Sequence, residues 1–215
     1  MSGFVIAVDG PAASGKGTLA SRLARHYGLP VLDTGLLYRA VALGLLAEGR
    51  DLDDAEAAEA AATALDASNL DPLALSGRAA GEAASRVAAH PGVRQALLSL
   101  QREFAARPEG AVLDGRDIGT VIAPGAPAKI FVTAAPEVRA ERRWRQLRAA
   151  GEALTLEEML EDIRRRDARD AGRSTAPLLM ADDAVLLDTS EMGISATVDA
   201  ARRIVEAARA RWNRS

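Results

Sequence analysis

The chain has 215 residues, 48% of them hydrophobic and 27% charged, with a net charge of −3 and no cysteine. That length carries one sizeable α/β core with room for a small appended lobe, and the lack of cysteine excludes disulfides and thiolate metal sites and suits a reducing cytoplasm, the location expected. No apolar run reaches the roughly 18 residues of a membrane span, no signal-peptide pattern is read at the N-terminus, and mild acidity gives no reason to expect a nucleic-acid partner.

"FVIAVD" (4–9) reads as a buried strand, a short apolar run with β-branched residues that stops at Gly-Pro. A Gly-rich turn follows, and Leu19, Ala20, Leu23 and Ala24 then recur at helical spacing over 16–26. "PVLD" (30–33) is a second strand, leading into a helix through Leu37, Val41 and Leu45. An alanine-rich helix is expected over 53–68 and an irregular connection over 69–78. Residues 81–90 and the stretch after Pro91 read as two helices separated at the proline, which favours a helix's first turn. "AVLD" (111–114) and "KIFVTA" (129–134) are strands, 136–150 and 155–171 are arginine-rich helices, "AVLLD" (184–188) is the last strand and 194–212 the last helix. Strands alternating with helices predict an α/β fold whose parallel sheet is covered on both faces. Four strands end in aspartate: Asp9, Asp33, Asp114 and Asp188. The carboxyl ends of the strands face the ligand crevice in such folds, though a strand-end aspartate also caps turns. The two histidines, His26 and His90, read as surface residues.

"GPAASGKGTLA" fits the phosphate-loop pattern G-x-x-x-x-G-K from Gly10 to Lys16, with a strand before it and a helix after it. Backbone N–H groups of such a loop and the following helix N-terminus face phosphates, and the lysine adds a point charge. Only Lys16 and Lys129 are lysines among 27 basic residues, which makes Lys16 conspicuous. The pattern normally continues with Ser or Thr, whose hydroxyl meets magnesium. Here Gly17 follows, and Thr18 arrives one place late. A GTPase reading lacks support, because the chain has no N-K-x-D or D-x-x-G run.

Beyond the loop, Arg166, Arg169, Asp170 and Arg173 recur at spacings of three and four, which places them along one helical face. A solvated face of Arg–Asp pairs is the plain alternative, and it suits Arg164 and Arg165, which fall off the stripe. "GKGT" in the loop, "LDTGLLYRA" (32–40), "ASRVAAHPGVRQALLSLQREF" (84–104), "LDGRDIGTVIAPGAPAKIFVTA" (113–134) and "RRRDARDAGRSTAPL" (164–178) resemble, in type and order, the bacterial cytidylate kinases, CMP/dCMP kinases of the nucleoside monophosphate kinase family. The resemblance runs from about residue 4 to 210.

The resemblance implies a P-loop three-layer fold with a five-stranded parallel sheet, a helical lobe for the nucleoside monophosphate and a short lid. Its implied division is a core of 1–34, 107–140 and 180–215, a binding lobe of about 35–106 and a lid of about 141–175. The run around 66–80 looks like a trimmed version of the small β-rich insertion that the family commonly carries. By resemblance, ATP meets Gly10, Pro11, Ala12, Ala13, Ser14, Gly15, Lys16, Gly17 and Thr18, with Arg142 and Arg143, at the entrance to the lid, weaker candidates. CMP meets Thr34, Tyr38, Arg39, Ser85, Arg94, Asp114, Arg116, Asp117, Arg166, Asp170 and Arg173. Within that set Asp117, Arg94 and Ser85 read the base, Arg39, Arg116 and Arg173 hold the 5′-phosphate, and Arg166 and Asp170 hold the sugar.

Reading cytosine calls for a carboxylate that accepts from N4 and an arginine that donates to O2 or N3; uracil reverses two of these polarities. The acceptor in this chemistry is a phosphate oxygen already anionic at neutral pH, so no general base is required. Catalysis is then alignment and charge stabilisation by Lys16, Arg116, Arg166, Arg173 and Mg²⁺. Magnesium is expected to be held through water and the nucleotide's own oxygens, with Asp114 orienting a bound water. ATP and CMP or dCMP are the expected partners of a monomer. Another small-molecule P-loop kinase, of the UMP or shikimate type, and a non-catalytic NTP-binding protein are the competing classes.

Overall fold

The computed structural model describes residues 3–214. Alternate residues of a strand point to opposite faces of the sheet, and β1 (Val5–Asp9) shows both faces covered: Ile6 and Val8 belong to one apolar cluster, Val5 and Ala7 to another. The first cluster is closed by α1 (Lys16–Tyr27) and α8 (Ile194–Trp212), through Leu19, Leu23, Ala201 and Val205. Opposite, α5 (Pro91–Ala105) and a π-helical turn at Ile118–Ile122 cover the sheet. Strands β2 (Val31–Asp33), β3 (Ala111–Gly115), β4 (Ala128–Thr133) and β5 (Val185–Asp188) join β1 in one sheet of order β2-β3-β1-β4-β5, parallel at every pairing. The three-layer α/β fold with a five-stranded parallel sheet is therefore present.

A third apolar cluster stands apart from the sheet. It packs α2 (Thr34–Ala47), α3 (Ala55–Thr63), α4 (Arg78–Val87) and α5 around Leu37, Leu45, Ala58, Val87 and Leu97. The expected helix over 53–68 ends at Thr63, and a short 3₁₀ turn, Ala67–Asn69, follows. Asp54 accepts from the Ala57 N–H at the start of α3, while the side chain of Asp66 accepts from Ser68 N–H to begin the new turn. Pro91 occupies the first turn of α5, as its missing N–H allows. A fourth, smaller cluster joins α6 (Pro136–Ala149) to α7 (Leu156–Gly172) through Leu147, Met159 and Ile163, and includes Ala12. A capping box opens α7: Thr155 Oγ1 accepts from Glu158 N–H while Glu158 accepts from Thr155 N–H.

His26 is exposed, whereas His90 is half-buried, its Nε2 2.8 Å from Leu52 O. Among the described residues no helix is long and apolar enough to cross a membrane.

Candidate active site

The loop between β1 and α1 is shaped by three positions that reject a side chain or take an unusual backbone. Gly10 has φ +145, and a Cβ there would stand 1.9 Å from Val132 O, far closer than van der Waals contact allows. Ala13 takes φ +59, a left-handed conformation that costs a non-glycine residue about 1 kcal/mol. Gly15, at φ +94, precedes α1 without any side-chain cap, leaving the helix's first N–H groups open for a ligand. Lys16 folds back over the loop and donates to Pro11 O at 2.8 Å.

The loop forms one wall of a cavity of about 850 Å³ at the carboxyl ends of the strands. Ala12, Ala13, Ser14, Gly15, Lys16, Gly17 and Thr18 line it, as do Thr34, Tyr38, Arg39, Ser85, Arg94, Asp114, Arg116, Asp117, Arg142, Arg166, Asp170 and Arg173. Gly10 and Pro11 are outside the lining; they shape the loop's back.

Asp114, at the end of β3, lies beside the loop. Its Oδ1 is 3.9 Å from Lys16 Nζ, and its partner in the strand register is Asp33. Burial pushes the Lys16 ammonium down, with Arg116 adding to the effect, while the same burial pushes the Asp114 carboxyl up against the pull of Lys16. Gly17 explains how they fit: a Cβ at that position would stand 3.3 Å from Asp114 Oδ2. Thus the place where other phosphate loops carry a hydroxyl is flanked here by a carboxylate from the neighbouring strand. Among the described residues no cluster of three or more Asp, Glu, His or Cys side chains could chelate a metal directly. The donor chemistry fits a magnesium ion held by phosphate oxygens and water, with Asp114 as the nearby carboxylate.

At the acceptor end, Arg94 on α5 is ion-paired with Asp117 at the head of the π-helical turn. Arg94 also lies 5.5 Å from the centroid of the Tyr38 ring. Ser85, on α4, is buried, and its oxygen accepts from Arg169 Nε at 3.2 Å. Between these groups and the loop stand four arginines. Arg116 donates to Asp170 at 3.0 Å, Arg173 is 3.9 Å from the same carboxylate, and Arg39 is 3.9 Å from Asp33. Burial alone would raise Asp170, but Arg116, Arg166 and Arg173 around it hold its carboxyl below the usual range. Arg166 is lowered to about 10, chiefly by burial and then by Arg116. Its Nε, and the Nε and Nη2 of Arg173, are buried with no hydrogen-bond partner. Buried guanidinium groups in excess of their carboxylates form a site waiting for an anion.

Some features escaped the sequence reading. Arg142 grips the loop after β5, donating to Thr189 Oγ1 and O at 2.9 and 2.6 Å, at the cavity edge. Arg169 leaves the stripe: it makes a two-pronged pair with Glu82 of α4, at 2.7 and 2.6 Å, and does not line the cavity. Arg173 is the C-cap of α7 rather than a residue within it. Arg139, one helical turn before Arg142, and Asp167 are newly drawn in, and the i, i+3 spacing of Arg139 and Arg142 was the only signal. Asp9 accepts from the N–H groups of Ile118 and Gly119 at 2.8 and 2.7 Å, tying β1 to the segment that carries Arg116 and Asp117. Asp188 does serve its turn, accepting from Ser190 N–H.

Comparison with known proteins identifies the family. The profile of the family described as cytidylate kinase matches residues 6–207. A cytidylate kinase of Caulobacter sp. (strain K31) is 66% identical over 209 residues, covering 97% of each chain. The cytidylate kinase of Caulobacter vibrioides (strain NA1000 / CB15N) is 68% identical over 209 residues, covering 97% of this chain and 98% of its own. Among solved structures, a gluconokinase from Sinorhizobium meliloti 1021 superposes with a TM-score of 0.55 at 17% identity, covering 100% of this chain and 98% of its own, a likeness of fold alone. With a profile match across almost its whole length and relatives at two-thirds identity, the chain belongs to the cytidylate kinase family.

Proposed function

We propose that this chain transfers the γ-phosphoryl group of ATP to CMP or dCMP, giving ADP and CDP or dCDP, with the roles of its residues divided as follows. The observation that carries the reading is one cavity lined both by a phosphate loop and by buried guanidinium N–H groups without partners. A site for two nucleotides whose phosphates must meet needs that juxtaposition.

The loop from Gly10 to Thr18 cradles the ATP phosphates through its backbone N–H groups, and Lys16 supplies charge where the γ-phosphoryl group leaves. Arg142 and the loop it grips flank the nucleoside end of ATP. At the acceptor, Asp117 accepts from the cytosine N4 amine, Arg94 donates to O2 or N3, and Ser85 lies on the same wall. Arg39, Arg116 and Arg173 hold the 5′-phosphate, while Arg166 and Asp170 hold the sugar, with Tyr38 and Thr34 packing against the nucleotide. A magnesium ion carried in with ATP would have Asp114 as its nearest carboxylate and would supply positive charge to the phosphate oxygens. Arg116, Arg166 and Arg173 stabilise charge on the transferring group, and no residue has to remove a proton because the attacking oxygen is already anionic. Closure of a lid (about 141–175) over a binding lobe (about 35–106) and core excludes water, which would otherwise take the phosphoryl group. The protein acts as a monomer in the cytoplasm.

Incubation with ATP and Mg²⁺ against CMP, dCMP, UMP, AMP and shikimate tests this. ADP release is expected with CMP and dCMP well above the other acceptors. Release no greater than background with CMP would overturn the reading.

A further inference from the structure

Arg139 lies in the first turn of α6, is 3% exposed, and belongs to none of the groups assigned to either nucleotide. Its guanidinium reaches three separate parts of the chain. Nε donates to Ala134 O at 2.8 Å, at the exit of β4. Nη1 donates to Ala12 O at 3.2 Å, in the phosphate loop. Nη1 and Nη2 donate to Asp167 Oδ1 and Oδ2 at 3.0 and 2.6 Å, on α7.

Each contact has a geometric consequence. In a planar trans peptide the C=O and the following N–H point to opposite sides. Holding Ala12 O against Arg139 therefore turns the Ala13 N–H away from Arg139, toward the cavity that Ala12 and Ala13 line. The same hold steadies Ala13 in its left-handed conformation. On the other side, a two-pronged guanidinium–carboxylate pair is planar and tolerates little rotation. Fixing Asp167 therefore fixes the rotation of α7 about its axis. Its sequence neighbour Arg166, and Asp170 one turn on, face the acceptor end of the cavity.

We infer that Arg139 is a positioning residue that, through Asp167, couples the phosphate loop to the acceptor-binding arginines on α7, so that occupancy of one nucleotide site tightens the other. This rests on the assignment of the loop to ATP and of Arg166 and Asp170 to the acceptor. A guanidinium is required for it: a lysine in the same place has the charge but cannot serve Ala12, Ala134 and both Asp167 oxygens at fixed angles.

The test is calorimetric binding of a non-hydrolysable ATP analogue, in magnesium buffer, with and without saturating CMP. Wild type should bind the analogue more tightly with CMP present, by roughly 5-fold or more. In Arg139→Lys and in Asp167→Asn that ratio should fall close to one, and kcat/KM for ATP should drop by about 10-fold or more. Asp167 is 28% exposed and its asparagine variant is isosteric, so the fold is retained even if Arg139→Lys proves unstable. Loss of packing alone would lower the melting temperature without erasing the ratio. A ratio of one in wild type, or a ratio unchanged in folded Asp167→Asn, overturns the coupling. Failure of wild type to bind the analogue or to phosphorylate CMP overturns instead the assignment on which it rests.

Discussion

Arg94 and Asp117 are ion-paired in the cavity wall with each side chain only 7% exposed, so each satisfies the other's charge before any nucleotide arrives. The pair presents an acceptor and a donor side by side, the complement of cytosine's N4 and N3 edge. Asp117→Asn keeps the size and one acceptor oxygen but adds an amide donor, which suits uracil O4. The CMP-over-UMP ratio of kcat/KM should fall by roughly 10- to 100-fold, the range set by about 1–3 kcal/mol for a mispaired buried polar group. Parallel steady-state kinetics on the two acceptors checks it, and an unchanged ratio removes Asp117 from base reading.

Lys16 bears on the transition state more than on the ground state. It is buried, donates to Pro11 O at rest, and lines the cavity beside Asp114, where the proposed reaction shifts charge between two nucleotides. Lys16→Met, which keeps the bulk without the charge, should lower kcat by about 100- to 1,000-fold, the size of one lost electrostatic donor in an acyl-transfer site. KM for CMP should move far less. Stopped assays at saturating substrates measure this, and a kcat close to wild type would contradict the role.

Gly17 and Asp114 share one small volume, with 3.3 Å between the carboxylate and the place a Cβ would take. Gly17→Ser installs the hydroxyl that other phosphate loops carry there, yet it should reduce activity by roughly 10-fold, since crowding a packed site costs about 1–3 kcal/mol. The magnesium concentration needed for half-maximal rate should rise along with it. A serine variant with wild-type activity and wild-type magnesium dependence would show that Asp114 has no bearing on the ion.

Asp9 gives a pH dependence with a definite sign. Burial raises its carboxyl from 3.8 to about 6, although two backbone N–H groups pull the other way. The folded protein therefore holds this proton more tightly than the unfolded chain. The resulting stability is complete below pH 4 and is lost as pH rises through about 6, to a total of roughly 3 kcal/mol. Asp9→Asn removes the titration, so urea unfolding of wild type should lose ground relative to the variant between pH 4 and pH 6.5. A difference between the two that stays flat across that window refutes the shift.

The order of strands and helices was legible because buried strands and amphipathic helices write short-range patterns. The phosphate loop was legible for the same reason: Gly10, Gly15 and Lys16 act through their immediate backbone. What the pattern did not show depends on contacts between distant segments. The π-helical turn after Asp117 is held from Asp9, 109 residues earlier, and nothing in "DIGTVIAPG" announces it. Arg169 is a case of angle. At about 100° per residue, Asp170 and Arg173 lie within about 40° of Arg166, whereas Arg169 stands about 60° off on the side toward α4. Its partner Glu82 decides which face it serves. Arg139 carried no mark beyond its distance from Arg142, because its function lies in the carbonyl of Ala12 and not in any neighbour in sequence.

The chain's 27 basic residues include only Lys16 and Lys129, and both are buried, at 5% and 7% exposed. Among its described residues the protein therefore offers no exposed lysine amine to acylating or cross-linking reagents, its surface cations being guanidinium groups. One of the two buried amines faces the cavity beside the phosphate loop and the other is closed off by Pro124 O and Asp183. Slow acylation of Lys16, and its suppression by nucleotide, would thus report occupancy of the phosphate loop without any introduced label.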